Sequence, residues 1–217
     1  VRILSNQVRV IENKTERLTR LVDDFVAQEP TRMQNSVILT GQNKDRTRIN
    51  DMVRERLKVS GHLGDSIICA VQGQNGRVVH EKEFAVNDRI MFLKNDKQNL
   101  SVMNGTVGTI IAIEGETLQV RVQDRIICVN SHNYNRFDHA YAMTTHKAQG
   151  ISIDRAFIHA PSTQQWANSR NAFYVNVSRA KHGVRIYTDD MAAVQKQAAK
   201  FQVRYSSLDF PESADEL

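Results

Sequence analysis

Nowhere in this chain of 217 residues does a glycine precede a lysine, so a phosphate loop of the G-x-x-x-x-G-K-[ST] type is excluded. The only Asp-Glu pair, Asp215 and Glu216, stands in the C-terminal tail rather than after an apolar strand. No window approaches the roughly 18 consecutive apolar residues of a membrane-spanning helix, and no signal-peptide pattern opens the chain. A membrane partner is therefore not expected. Cysteine is limited to Cys69 and Cys128, far apart and each set in an apolar run ("SIICAV", "RIICVN"). Two such residues make no disulfide framework; they are expected to be buried, reduced thiols on strands, which suits a cytoplasmic protein. The first residue is Val1 rather than methionine, and we expect a piece cut from something longer.

What is there reads as an ordinary globular chain, with 41% hydrophobic and 24% charged residues. Its length suits one large domain, or a core domain carrying a smaller one. A net charge of +5 and a pI near 9.3 permit a polyanionic partner without demanding one.

"ENKTERLTRLVDDFVAQEP" places Leu18, Leu21, Val22, Phe25 and Val26 at helical spacing, with Asn13 and Glu16 as a capping box and Pro30 as the stop. "SVILTGQNKDRTRINDMVRERLKVSG" then predicts a short strand at Val37, Ile38 and Leu39, a polar turn, and a helix with Ile49, Met52, Val53 and Leu57 facing inward. Strand, loop and helix open a parallel βα unit. From residue 66 to 138 the pattern changes to short alternating runs separated by Gly and Asn turns, the mark of a small antiparallel barrel or sandwich. The α/β pattern returns with "HAYAM", "RAFIHA", a helix around "QQWANSRNAFYVNVSRA" and a strand "GVRIYTD". The expected fold is thus α/β, one parallel-sheet domain (1–65 and 139–200) interrupted by a β-barrel (66–138), with a flexible acidic tail (201–217).

Three clusters carry candidate chemistry. "TGQNKDR" and "TTHKAQG" each follow a predicted strand, where parallel sheets bind ligands beyond their carboxyl ends; each also suits a plain solvated loop. In "FYVNVSRAKHGVRIY" an apolar element runs into Ser178 and Arg179. An arginine fixed there could stabilise charge on a transferring phosphoryl group, or could form a surface ion pair.

Taken together these stretches resemble a known family. "YAMTTHKAQG" is similar to motif V, "FYVNVSRAK" to motif VI and "VILTGQNKDRTRINDMVRERL" to motif IV of the RecD-like branch of superfamily-one helicases, with Asn43, Arg46, Asn50 and Arg54 on matching positions. "FAVNDRIMFLKNDKQNLSVMNGTVGTIIAI" resembles the SH3-like barrel that this branch inserts into its second RecA-like domain. The likeness runs over roughly residues 36 to 190 and is nearest to the helicase part of TraA-type conjugative relaxases. RecD proper has a Glu where Ser152 stands, and motif VI usually has a small residue pair where Asn176 and Val177 precede Ser178.

The resemblance implies the second motor domain of an ATP-dependent DNA helicase, moving 5′ to 3′, without the first domain that holds ATP and Mg²⁺. By that likeness Thr144, Thr145, His146, Lys147 and Asn43 would bind single-stranded DNA, and Lys97, Asn99 and Asn104 in barrel loops would touch the strand or act as a separation pin. Gln149, Gly150 and Arg46 would couple to nucleotide, and Arg179 would reach the γ-phosphate. No metal ligand is expected in this chain, and its partners would be single-stranded DNA and the missing first motor domain. Two other readings stay open: a non-catalytic DNA-binding or scaffold module with a degenerate helicase fold, and a DNA-repair helicase subunit of the RecD type.

Overall fold

The structure is a computed structural model that describes residues 7–72, 79–145, 147–148, 153–164 and 180–199. A first group of elements comprises β1 (Val8–Val10), α1 (Lys14–Val26), α2 (Pro30–Gln34), β2 (Ser36–Thr40) and α3 (Asn43–Val59). Strands β3 (Ser66–Gln72), β4 (Val79–Ala85), β5 (Arg89–Phe92), β6 (Val107–Glu114), β7 (Thr117–Val122), β8 (Arg125–Asn130) and β9 (Phe137–His139) follow. The chain then returns through β10 (Ala142–Thr144), β11 (Ile153–His159), β12 (Ala180–Thr188) and α4 (Met191–Ala199).

β1, β12, β11, β2 and β10 form one five-stranded parallel sheet in that order. β8, β7, β6, β5 and β9 form an antiparallel sheet, and β3 pairs with β4 in a second one. The fold class expected from the sequence is therefore observed: α/β, with antiparallel strands placed between α3 and β10 of the parallel sheet.

Alternation along the strands sorts the core. Ile38 of β2 packs with Leu18, Leu21, Phe25, Ile49 and Val53 of α1 and α3. Its neighbours Val37 and Leu39 face the other side, with Ala156, Ile158 and Val194. β2 is buried along its whole length, as a central parallel strand covered on both faces should be. α1 starts where expected, because Asn13 Oδ1 accepts from the N–H groups of Thr15 and Glu16 at 2.9 and 3.1 Å. Of the apolar residues read as inward, Val26 and Met52 are only half-buried, at the margin of the stripe.

β5 ties the two kinds of sheet together. Ile90 and Phe92 enter the antiparallel core, while Met91 packs into the core of the parallel sheet. Beside it the carboxylate of Asp88, fully buried, accepts from Arg54 Nε at 2.9 Å, Ala85 N at 2.7 Å and the Tyr141 hydroxyl at 2.8 Å.

Several expectations are corrected. "HAYAM" is not one strand: His139 pairs with Ile90 in the antiparallel sheet, the chain bends at Tyr141, and Ala142 pairs with Ile38 in the parallel one. Cys69 is buried but Cys128 is exposed, because inward Val129 on β8 turns Cys128 and Ile126 outward at a period of two. Pro30 starts α2 rather than simply stopping α1, which ends at Val26. β1 and α4 were not read from the sequence; β1 has three residues and exists by pairing with β12. Most of the helix read around "QQWANSRNAFYVNVSRA", and the acidic tail, lie outside the described residues. Among the described residues no helix is long and apolar enough to cross a membrane.

Candidate nucleic-acid interface

Neighbouring parallel strands β2 and β10 end side by side: Thr144 is in register with Thr40, and Thr145 N–H donates to Thr40 O at 3.2 Å. α3 begins just beyond β2 and Lys147 lies just beyond β10. Both therefore stand on the carboxyl edge, where unpaired N–H groups and loop side chains meet ligands in this sheet type.

Lys147 Nζ donates to Asn104 Oδ1 at 2.7 Å. Asn104 belongs to the turn before β6, and its own N–H is held by Asn95 Oδ1 at 2.7 Å. A residue of the antiparallel region is thereby brought onto the loop after β10. Burial and the neighbouring charge of Arg46 push the Lys147 ammonium below its ordinary range. The two cations repel each other, and an anion beside Lys147 would relieve that repulsion.

Arg46 is 14% exposed and directs Nη2 to Asp138 Oδ2 at 3.2 Å, while its Nε is buried with no hydrogen-bond partner among the described residues. Asp138 also takes Lys82 Nζ at 2.6 Å. Burial alone would raise this carboxyl; the charges of Lys82 and Arg46 outweigh it and hold Asp138 below the usual carboxylate range.

Other candidates are placed differently. Thr144 and Thr145 are 9% and 4% exposed, and Thr145 Oγ1 has no partner among the described residues, so both form the wall beneath the loop. Asn43 is exposed at the start of α3. Lys97 and Asn99 are exposed in the β5–β6 connection, where Asn99 N–H is held by Asp96 Oδ1 at 2.8 Å, and neither joins Lys147 or Asn104. His146, Gln149, Gly150 and Arg179 lie outside the described residues.

Sequence reasoning passed over three acids and bases that organise this edge. Asp138 is one. Asp45, 1% exposed, accepts from Lys14 Nζ at 2.7 Å and from Gln164 Nε2 at 2.8 Å. His159 sits between them and Arg17: Nδ1 lies 3.4 Å from Thr40 Oγ1 and 3.6 Å from Asp45 Oδ2, and Nε2 lies 3.5 Å from Arg17 Nε. Burial pushes the His159 imidazole well below its ordinary range. A neutral ring that accepts from Arg17 at Nε2 fits this setting. The one signal available was an acid inside a basic stretch, "NKDR", where a solvated loop would place none in particular.

Residues 139–187, which span β9 to β12, match the family described as UvrD-like helicase C-terminal domain. That stretch is 49 of the chain's 217 residues, and it is similar to the C-terminal domain of UvrD-like helicases. Over 206 residues it is 27% identical to the conjugal transfer protein TraA of Rhizobium radiobacter, covering 91% of this chain and 18% of that protein. Over 130 residues it is 27% identical to the ATP-dependent RecD2 DNA helicase of Deinococcus radiodurans, covering 60% of this chain and 18% of the helicase. The chain thus spans less than a fifth of these curated relatives. A crystal structure of Pif1 helicase from Bacteroides in complex with ADP-AlF3 and ssDNA superposes with a TM-score of 0.51 at 20% identity, over 83% of this chain and 46% of that one. That likeness concerns the fold.

Proposed function

We propose that this chain is the second motor half of an ATP-dependent DNA helicase within a conjugative relaxase-type protein, and that the edge around Lys147 takes the backbone of single-stranded DNA. The observation that carries the reading is the meeting of Lys147 with Asn104 at 2.7 Å, beside Arg46 and the exposed start of α3. Lysine supplies a mobile point charge for a phosphate, and the amides of Asn43 and Asn104 supply donors that position the strand without reading bases. The antiparallel strands are, in this reading, the SH3-like insertion, and Asn104 is the point where it reaches the strand's path.

The groups that would face nucleotide are Arg46, Gln149, Gly150 and Arg179. Arg46 fits a supporting contact to a phosphate, since its buried Nε is a donor without a partner among the described residues, while its Nη2 is held by Asp138 and donates to Thr47 Oγ1 at 3.4 Å. It does not make a triphosphate site, and the sequence has no phosphate loop; ATP and Mg²⁺ would be held by the first motor domain. ATP, when bound there, supplies the phosphoryl transfer that drives translocation. Arg179, at the end of the motif VI-like stretch, would offer its planar guanidinium to the charge that develops.

A fluorescent oligothymidylate titrated with the chain across a salt series tests the DNA surface. Binding is expected to be weak and steeply salt-dependent, with each phosphate contact adding about −0.7 to the log–log slope. Lys147→Ala should flatten that slope by about one contact. Tight binding indifferent to salt, or an unchanged slope in the variant, would remove Lys147 from the interface.

A further inference from the structure

Where α2, the end of α3 and the antiparallel sheet meet, the fold leaves a cavity of about 180 Å³. Pro30, Met33, Leu57 and Leu63 supply an apolar wall, Arg89, Tyr141, His62 and three neutral polar side chains supply the rest, and among the described residues no carboxylate lines it. Arg89 is unusual among the inward-facing arginines. Arg17 reaches Asp189 at 4.0 Å, Arg46 reaches Asp138, and Arg54 reaches both Asp88 and Glu83. Arg89 instead donates Nη1 to the Ser36 carbonyl at 2.5 Å, and no carboxylate pairs with it among the described residues.

Tyr141 does not supply the missing charge. Its hydroxyl donates to Asp88 at 2.8 Å and accepts from Arg89 N at 3.4 Å, so it is already engaged as a neutral phenol. Burial lowers the Arg89 guanidinium only to about 10, so it stays cationic at neutral pH. A guanidinium has five N–H donors, and a half-buried cation without a counter-charge among the described residues has donors to spare for an anion. A cavity that presents such a cation opposite an apolar wall of Met33, Leu57 and Leu63 matches a molecule with an anionic head and a compact apolar body.

We infer that this cavity is a binding site for a small organic carboxylate, whose head pairs with Arg89 and whose apolar body packs on Met33, Leu57 and Leu63. The site joins α2 and α3 to the antiparallel sheet, so an occupant would brace the two parts of the molecule. It lies on residues other than those proposed to meet DNA, and it stands or falls apart from the helicase reading.

The test is a titration of the full chain with sodium benzoate, followed through the methyl resonances of Met33, Leu57 and Leu63, with benzyl alcohol as the neutral comparison. Benzoate is expected to give saturable shifts at those methyls, and benzyl alcohol to bind about tenfold more weakly or worse, as loss of a charge-assisted hydrogen bond implies. Arg89→Met, which keeps the bulk of the side chain, should lose the same factor for benzoate. Leu63→Phe, which fills the cavity and leaves Arg89 in place, should abolish the shifts. Absence of saturable shifts in the wild-type chain, equal response to the neutral alcohol, or undiminished benzoate binding in a folded Arg89→Met protein would overturn the inference. The comparison of the two ligands uses the wild-type chain alone, so it holds even if a variant does not fold.

Discussion

Asn50 does for β10 what a neighbouring strand would do. β10 closes one edge of the parallel sheet, and the outward N–H and C=O of Ala142 need partners away from water. Asn50, 3% exposed, accepts from Ala142 N at 2.8 Å through Oδ1 and donates to Ala142 O at 3.1 Å through Nδ2. The family resemblance put Asn50 among motif positions, and the structure gives it an architectural task on the strand that leads to Lys147. Asn50→Ala orphans both backbone groups, each at a cost of about 1–3 kcal/mol, so a loss of about 2 kcal/mol or more is expected in urea denaturation. Asn50→Asp should also be destabilised, because a carboxylate cannot donate to the Ala142 carbonyl. Wild-type stability in Asn50→Ala would show that the edge is satisfied in another way.

At the scale of elements, β6 is held against β7 by a glycine. A Cβ added at Gly108 would lie 2.6 Å from Val120 Cγ1 and 2.9 Å from the Arg121 carbonyl oxygen. The second contact is backbone, which cannot swing aside. Gly108→Ala should therefore cost about 1–3 kcal/mol by forcing the strands apart, read as a lowered thermal midpoint. Val120→Ala in the same chain should recover only part of it, since the Arg121 carbonyl remains. Full recovery would mean that the side-chain contact alone sets the spacing. Gly105, by contrast, is glycine for its backbone: its φ is +96°, with open space where a Cβ would stand.

At the scale of the whole molecule, the parallel sheet and the antiparallel strands are joined by shared packing at Met91 and by ion pairs from α3. Arg54 meets Glu83 at 2.8 Å and Asp88 at 2.9 Å, and Lys58 meets Glu83 at 3.2 Å. The hydrogen bond from Arg54, helped by Ser66 and Lys58, holds the Glu83 carboxyl at about 2, against an ordinary value of 4.5. A folded value below the unfolded one means stability that is present above pH 4.5 and drains away as the pH falls toward about 2. Glu83→Gln should thus be less stable than wild type at neutral pH and should converge with it in acid. Thermal midpoints measured over a pH series check this; a gap that stays constant into acid would assign Glu83 no charge-dependent part in the joint.

The sequence alone determined the elements whose signals are local. The period of Leu18, Leu21, Val22 and Phe25, the Asn13 cap and the apolar run of β2 dictate helix and buried strand wherever they occur, because backbone sterics and short-range hydrogen bonds do not depend on distant residues. The alternating runs of β3 to β8 were legible for the same reason, as was the placing of Lys147 after a strand. Tertiary structure decided what depends on partners far along the chain. The division of "HAYAM" between two sheets follows from competition between β5 and β2 for one short segment. The pairing of Lys147 with Asn104, and of Arg46 with Asp138, joins residues whose proximity no spacing rule encodes. Burial did the rest: it turned Thr144 and Thr145 into wall rather than surface, and it left Arg89 facing a cavity without a counter-charge among the described residues. Electrostatic roles in a protein are set by what surrounds a charge, and that surrounding exists only once the sheets have met.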